Sequence, residues 1–147
     1  VSFAISFQLQ GDKELVNLLR VRAPKIAREK MLLGIRNTVK AVHSEALRSI
    51  QTIKGSREVT RYKPKRQHIV SPAGEAPNAD RGGLAQSIFF DVDDARMTGS
   101  VGSKLNYAFW LEYGTKDMDE RPWLHPAIKR VLGYAKSFFK FNAGDFK

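Results

Sequence analysis

Cysteine is absent from the chain. That excludes disulfides, thiolate nucleophiles and cysteine-ligated zinc, and it suits a reducing compartment. Also missing is any apolar run near the ~20 residues that span a bilayer, so no membrane partner is expected. Residues 1–9 (VSFAISFQL) lack the basic lead-in and small-residue cleavage site of a secretory signal. The expectation is a soluble, non-secreted protein whose initiator Met lies outside this sequence. Histidine is sparse. His43, His68 and His125 show neither HxxxH nor HExxH spacing, so no metal or other cofactor is expected. Asp117, Asp119 and Glu120 form an acidic cluster, but Pro122 stands where a helix–loop–helix calcium site needs its sharp-turning glycine. A solvated loop is the expectation there. Nothing resembling GxSxG or GxxxxGK[ST] is present, so the chain reads as a non-enzyme.

Acidic residues are the minority among charges. Fifteen Asp and Glu face 25 Lys and Arg, for a net charge of +10. Such an excess favours polyanionic partners, whether nucleic acid or an acidic protein face. The cations are densest at 54–66, where Lys54, Arg57, Arg61, Lys63, Lys65 and Arg66 are opposed only by Glu58. That density repels itself unless it is solvated or matched by an anionic surface. Only Tyr62 interleaves, whereas single-strand binders carry several stacking aromatics. A solvated arm and a contact surface both remain open, and a nucleic-acid-binding module built on this patch is the alternative function.

What is present suffices for one domain, residues 1–147, with a buried core. Residues 1–9 alternate apolar and polar, the period of a half-buried strand. Asp12 can cap a short helix through Leu15, Val16, Leu18 and Leu19 that ends near Arg22. Leu32, Ile35, Val39, Val42, Ala46, Ile50 and Ile53 then recur at spacings of three and four. This predicts one long amphipathic helix over 24–53, with Pro24 in its first turn.

From 54 to 83 the periodicity stops and Gly and Pro accumulate, predicting a long irregular basic loop in which 59–62 and 67–70 can form a ragged hairpin. Residues 84–92 read as a helical turn running into a strand and 97–102 as its antiparallel partner, joined by Asp93, Asp94, Ala95 and Arg96. Tyr107, Trp110 and Leu111 suit a short helix capped by Asn106 and stopped by Gly114. Leu124, Ile128, Val131, Ala135 and Phe138 predict a last amphipathic helix from near Pro126 to about Phe141. The order gives an α+β domain: an antiparallel sheet packed by a long N-terminal helix and a C-terminal helix.

Two stretches carry a family resemblance. Residues 71–88 (SPAGEAPNADRGGLAQSI) and 107–127 (YAFWLEYGTKDMDERPWLHPA) resemble the tail-completion, or head–tail joining, proteins of long-tailed bacteriophages, relatives of the lambdoid minor tail protein Z. There a Pro/Gly-rich segment leads to a Gly-Leu-x-x-Ser-Ile-like strand start, and a Tyr-Ala-x-x-x-Glu-x-Gly-Thr block leads to an Arg-Pro-aromatic-Leu-x-Pro-Ala helix start. Arg81, Gly82 and Gly83 depart from the Thr-Gly-Arg expected at that turn. The resemblance implies a non-catalytic structural protein of the virion neck, assembled in the host cytoplasm as a homo-oligomeric ring that joins the capsid connector to the tail tube. DNA in the channel is a further possible partner. It also gives Glu112, Arg121 and Trp123 as interface residues. By its residues alone, Glu112 is a solvated helix carboxylate; by the resemblance, it faces the next subunit or the loop carrying Arg121. Trp123, with Tyr107, Trp110 and Leu124, suits either core or interface.

Overall fold

A computed structural model describes residues 24–62 and 65–140. The strand expected at 1–9, the short helix after Asp12, Lys63 and the tail at 142–147 lie outside those residues. Among the described residues no helix is long and apolar enough to cross a membrane.

The long helix is α1, Pro24–Gln51. Its buried stripe is Ala27, Met31, Ile35, Val39, Val42, Ala46 and Ile50, a 4-4-4-3-4-4 progression that keeps one face inward over about 35 Å. Two residues of the expected stripe depart from it. Leu32 sits one position off this face and is half-buried, and Ile53 lies beyond the helix end, 68% exposed. Thr38 is buried in the stripe, where its hydroxyl donates to the Gly34 carbonyl at 2.8 Å, so burial strands no polar group.

After α1 come β1 (Arg57–Tyr62) and β2 (Lys65–Val70), an antiparallel pair with Arg57 opposite Val70 and Tyr62 opposite Lys65. The hairpin within the basic loop therefore forms, longer than the sequence indicated. A short helix α2 (Gly83–Ser87) leads into β3 (Ile88–Asp93), which pairs antiparallel with β4 (Thr98–Ser103). Then follow α3 (Asn106–Tyr113), α4 (His125–Leu132) and a 3-10 helix, Ala135–Phe139.

The fold is α+β, and α1 is its spine: β3, β4, α2, α4 and the 3-10 helix all pack on it. The described strands form two separate two-stranded sheets, and it is β3–β4 that lies against α1. Val39, Val42, Ala46 and Ile50 meet Leu84, Ile88, Val101, Ala108, Trp123, Leu124, Ala127 and Val131 in one core.

The last helix is shorter than its periodicity suggests. It stops at Leu132, and Gly133 and Tyr134 donate to Arg130 and Val131 in i→i−3 bonds of 3.2 and 3.0 Å. Glycine is a weak helix former, and here the chain tightens to 3-10 geometry. Ala135 stays buried and Phe138 packs on the core, so burial keeps its period although the α-helix does not.

Sheet and helix approach closely at Gly99. A Cβ built there would stand 2.5 Å from Val39 Cγ1 and 2.9 Å from Ile35 Cγ2, both fully buried. Gly99→Ala is expected to cost about 2 kcal/mol by overpacking. A urea midpoint unchanged from wild type would show that β4 can move off α1.

Glu45 ties α1 to α4. Its carboxylate accepts from Arg130 Nη1 at 2.6 Å and from Arg48 Nη2 at 2.9 Å. These two guanidinium groups, Arg48 first, hold the carboxyl below its ordinary pKa of 4.5. A lowered folded-state pKa adds stability above the unfolded value, and that stability is lost as pH falls through the folded one. Wild type should therefore exceed Glu45→Gln by up to about 1 kcal/mol at neutral pH, since both arginines are largely in solvent. The gap should close as pH drops below 4.5, and a gap independent of pH in denaturation curves would contradict the linkage.

Candidate functional site: a cleft between the basic hairpin and the aromatic helix

The end of α1 is locked before the hairpin begins. Lys54 folds back so that its ammonium donates to the Ser49 and Thr52 carbonyls. Basic groups suit the negative end of a helix. Lys54 is half-buried and does not join an open basic surface, and the desolvation depresses its pKa from 10.5. Asn78 clamps the hairpin root: its Oδ1 accepts from the Lys54 N–H at 2.8 Å, and its Nδ2 donates to the Lys54 and Ile69 carbonyls at 2.7 and 2.9 Å. No sequence motif singled out Asn78, because its partners lie 24 and 9 residues away.

The remaining cations of the patch divide. Arg57, Arg61 and Lys65 are exposed on the hairpin. Arg66 is placed by register opposite Arg61. Arg57, Arg61 and Lys65 make no ion pair among the described residues.

Arg61, His68 and Val70 form one wall of a cleft of ≈ 610 Å³ that reaches Tyr107, Leu111, Met118 and Arg121 on the other side. Residues 77–85 line its floor. Burial raises the Tyr107 phenol above its ordinary pKa of 10.0. Ser71, also in the lining, is 4% exposed, and its hydroxyl has no hydrogen-bond partner among the described residues. His68 Nδ1 lies 3.7 Å from Asp80 Oδ1.

The two stretches carrying the phage resemblance meet here. The Gly74 N–H donates to the Glu120 carbonyl at 2.9 Å, and Arg121 Nε donates to the Ser71 carbonyl at 3.3 Å. Arg121 Nη1 also reaches the Asp119 carbonyl at 3.3 Å, so this arginine staples one stretch to the other within a single chain. No family model, curated protein or solved structure matches the chain.

Inside the second stretch, two residues expected at an interface are buried in the fold. Trp123 is 0% exposed, and its indole Nε1 donates to the Ala108 carbonyl at 3.1 Å. It belongs to the core, where an indole can bury a large apolar area and still satisfy its N–H. Glu112 is 3% exposed, so it is not a solvated carboxylate; of the two placements the resemblance implied, it faces the segment that follows Arg121 in its own chain. Its Oε2 accepts from the Trp123 and Leu124 N–H groups at 2.8 and 2.9 Å, and its Oε1 from His125 N at 2.8 Å. These are unpaired donors at the start of α4, and the carboxylate both satisfies them and complements the positive helix end.

The clip fixes the rotation of α3. With Ala108 and Glu112 inward, Trp110 and Tyr113 face out at 51% and 52% exposure, with Tyr107 at the cleft rim. Asn106 is the first helical residue and not the cap: Leu105 holds that position and its N–H bonds Ser103 Oγ at 3.2 Å. Gly114 ends the helix at φ 72°, where a Cβ would stand 2.9 Å from the Met118 carbonyl oxygen. Beyond it, Thr115 and Met118 bridge a tight loop that exposes Asp117, Asp119 and Glu120.

Proposed function

We propose that this chain is a structural protein of the neck of a long-tailed phage, joining capsid connector to tail tube as a subunit of a homo-oligomeric ring, with no catalytic role. The observation that carries the reading is the joining of residues 71–75 to 119–121 through the Gly74–Glu120 and Arg121–Ser71 bonds. These two motif stretches are distant in sequence, yet they form one packed unit, as expected if together they shape one part of a subunit. A ring subunit must offer two different surfaces to its neighbours. The exposed basic hairpin and the exposed aromatic face of α3 are two such surfaces.

A second reading is favoured by one observation: Arg57, Arg61 and Lys65 are exposed without an anionic partner among the described residues, as a phosphate-binding hairpin would be. Electron microscopy of phage-like particles with a tagged copy of the chain separates the two. The neck reading expects label at the junction of capsid and tube; label elsewhere or nowhere removes it. Salt-dependent DNA retention by a chain absent from particles would favour the second reading.

A further inference from the structure

Resting on the ring reading above, we infer that the β1–β2 hairpin of one copy docks on the α3 aromatic face and the acidic loop of the next copy. The hairpin supplies the first reason. It is a two-stranded ribbon with no third described strand beside it, and such ribbons are marginal in water unless something covers them. Unpaired strand edges also invite a partner.

The charges name the occupant. Some charges elsewhere pair internally, as in Arg36–Asp94 at 2.6 Å and Arg130–Glu45 at 2.6 Å. On the hairpin Arg57, Arg61 and Lys65 have no counter-ion among the described residues, and only Glu58 opposes them locally. Asp117, Asp119 and Glu120 are likewise exposed and make no ion pair among the described residues; the cations beside them in sequence are Lys116 and Arg121, whose Nη1 donates to the Asp119 carbonyl. In a chain with ten more cations than anions, three carboxylates left together without partners are the complement of this hairpin. Among the described residues no ion pair joins the two groups within one copy, although they flank the same cleft, so a second copy can pair them.

Between the charges stands the apolar part of the contact. Trp110 and Tyr113 lie half in water beside the acidic loop, a placement typical of residues that anchor interfaces. Guanidinium and ammonium groups bind such ring faces, so the same arginines and lysine suit both halves of the surface. Each copy gives a hairpin and receives one, the heterologous arrangement that closes by rotation.

The absence of cysteine makes the contact directly testable. Lys65→Cys and Asp117→Cys, each made alone in the full chain, are mixed, oxidised and analysed by peptide mass spectrometry, in solution and in assembled particles. A 65–117 disulfide between copies is expected. Adding Trp110→Ala, or the pair Arg57→Glu and Arg61→Glu, should cut its yield at least about tenfold, while Trp110→Phe keeps it. Circular dichroism confirms that each variant is folded.

No 65–117 product, or only 65–65 and 117–117 products, while native mass shows rings, overturns the inference and leaves the ring reading standing. A 65–117 product from a chain absent from particles supports the contact and overturns the ring reading. Should DNA retention fall with the arginine variants and stay unchanged in Trp110→Ala, with no 65–117 product, the hairpin serves nucleic acid and the inference is wrong.

Discussion

Trp123→Ala is expected to lower the unfolding free energy by about 4 kcal/mol, the scale for truncating a buried large aromatic. Two losses add: the indole leaves a void in the buried core to which Trp123 belongs, and the Ala108 carbonyl loses its 3.1 Å donor. Against a total stability of about 5–15 kcal/mol, that loss is a large fraction of the whole. Trp123→Phe serves as the readable companion. It keeps most of the apolar volume and loses the N–H, so about 1–2 kcal/mol is expected. The measurement is the urea midpoint of the isolated chain. An interface tryptophan would behave oppositely, with monomer stability intact and assembly impaired, and that outcome would contradict the burial.

Periodic features were legible in the sequence because they are local. The 3.6-residue stripe of α1, the β3–β4 hairpin with its polar turn and the first-turn proline of α4 each depend on residues within a few positions. Their reading fails where tertiary packing sets the detail. The stripe of α1 runs through Met31 and Ala27, not Leu32, because Gly34 and Ile35 face the 3-10 helix and sheet: a Cβ on Gly34 would lie 2.5 Å from the Phe139 ring. The last helix breaks at Gly133, although its apolar spacing continues unchanged. Hydrophobic period reports which face is inward; it does not report hydrogen-bond geometry.

The candidate site was legible in part. The basic hairpin and the acidic loop were visible as charge runs, but Lys54 belongs to the end of α1, a distinction that depends on Asn78 far along the chain. Trp110 was visible as half of an i, i+3 pair with Tyr107. That Tyr113 completes an outward face follows only once Ala108 and Glu112 are known to point inward. One signal for Glu112 was present and indirect: α4 has no Ser, Thr, Asp or Asn before Pro126, only Leu124 and His125. A helix start without a capping side chain of its own needs an acceptor from elsewhere.

That need sets the second large effect. Glu112→Ala is expected to destabilise by about 3 kcal/mol, because it leaves three backbone N–H groups at the start of α4 without their acceptor, and hydrogen bonds to a charged group are the strong ones. Glu112→Gln should fall between, near 2 kcal/mol: an amide oxygen can still accept, but the charge facing the helix end is gone and the new NH₂ has no assigned acceptor. His125 tests whether the ion pair or the cap matters. Its Nδ1 lies 3.7 Å from Glu112 Oε1, but its side chain is 74% exposed, so His125→Ala should change stability by less than about 0.5 kcal/mol. If His125→Ala matched Glu112→Ala in denaturation, the carboxylate would be acting as an ion-pair partner and not as a cap. The clip also orients α3, so Glu112→Gln should loosen the outward face carrying Trp110 and Tyr113. Its 65–117 cross-link yield should therefore drop in conditions where the chain is still fully folded, an effect that loss of global stability alone would not produce.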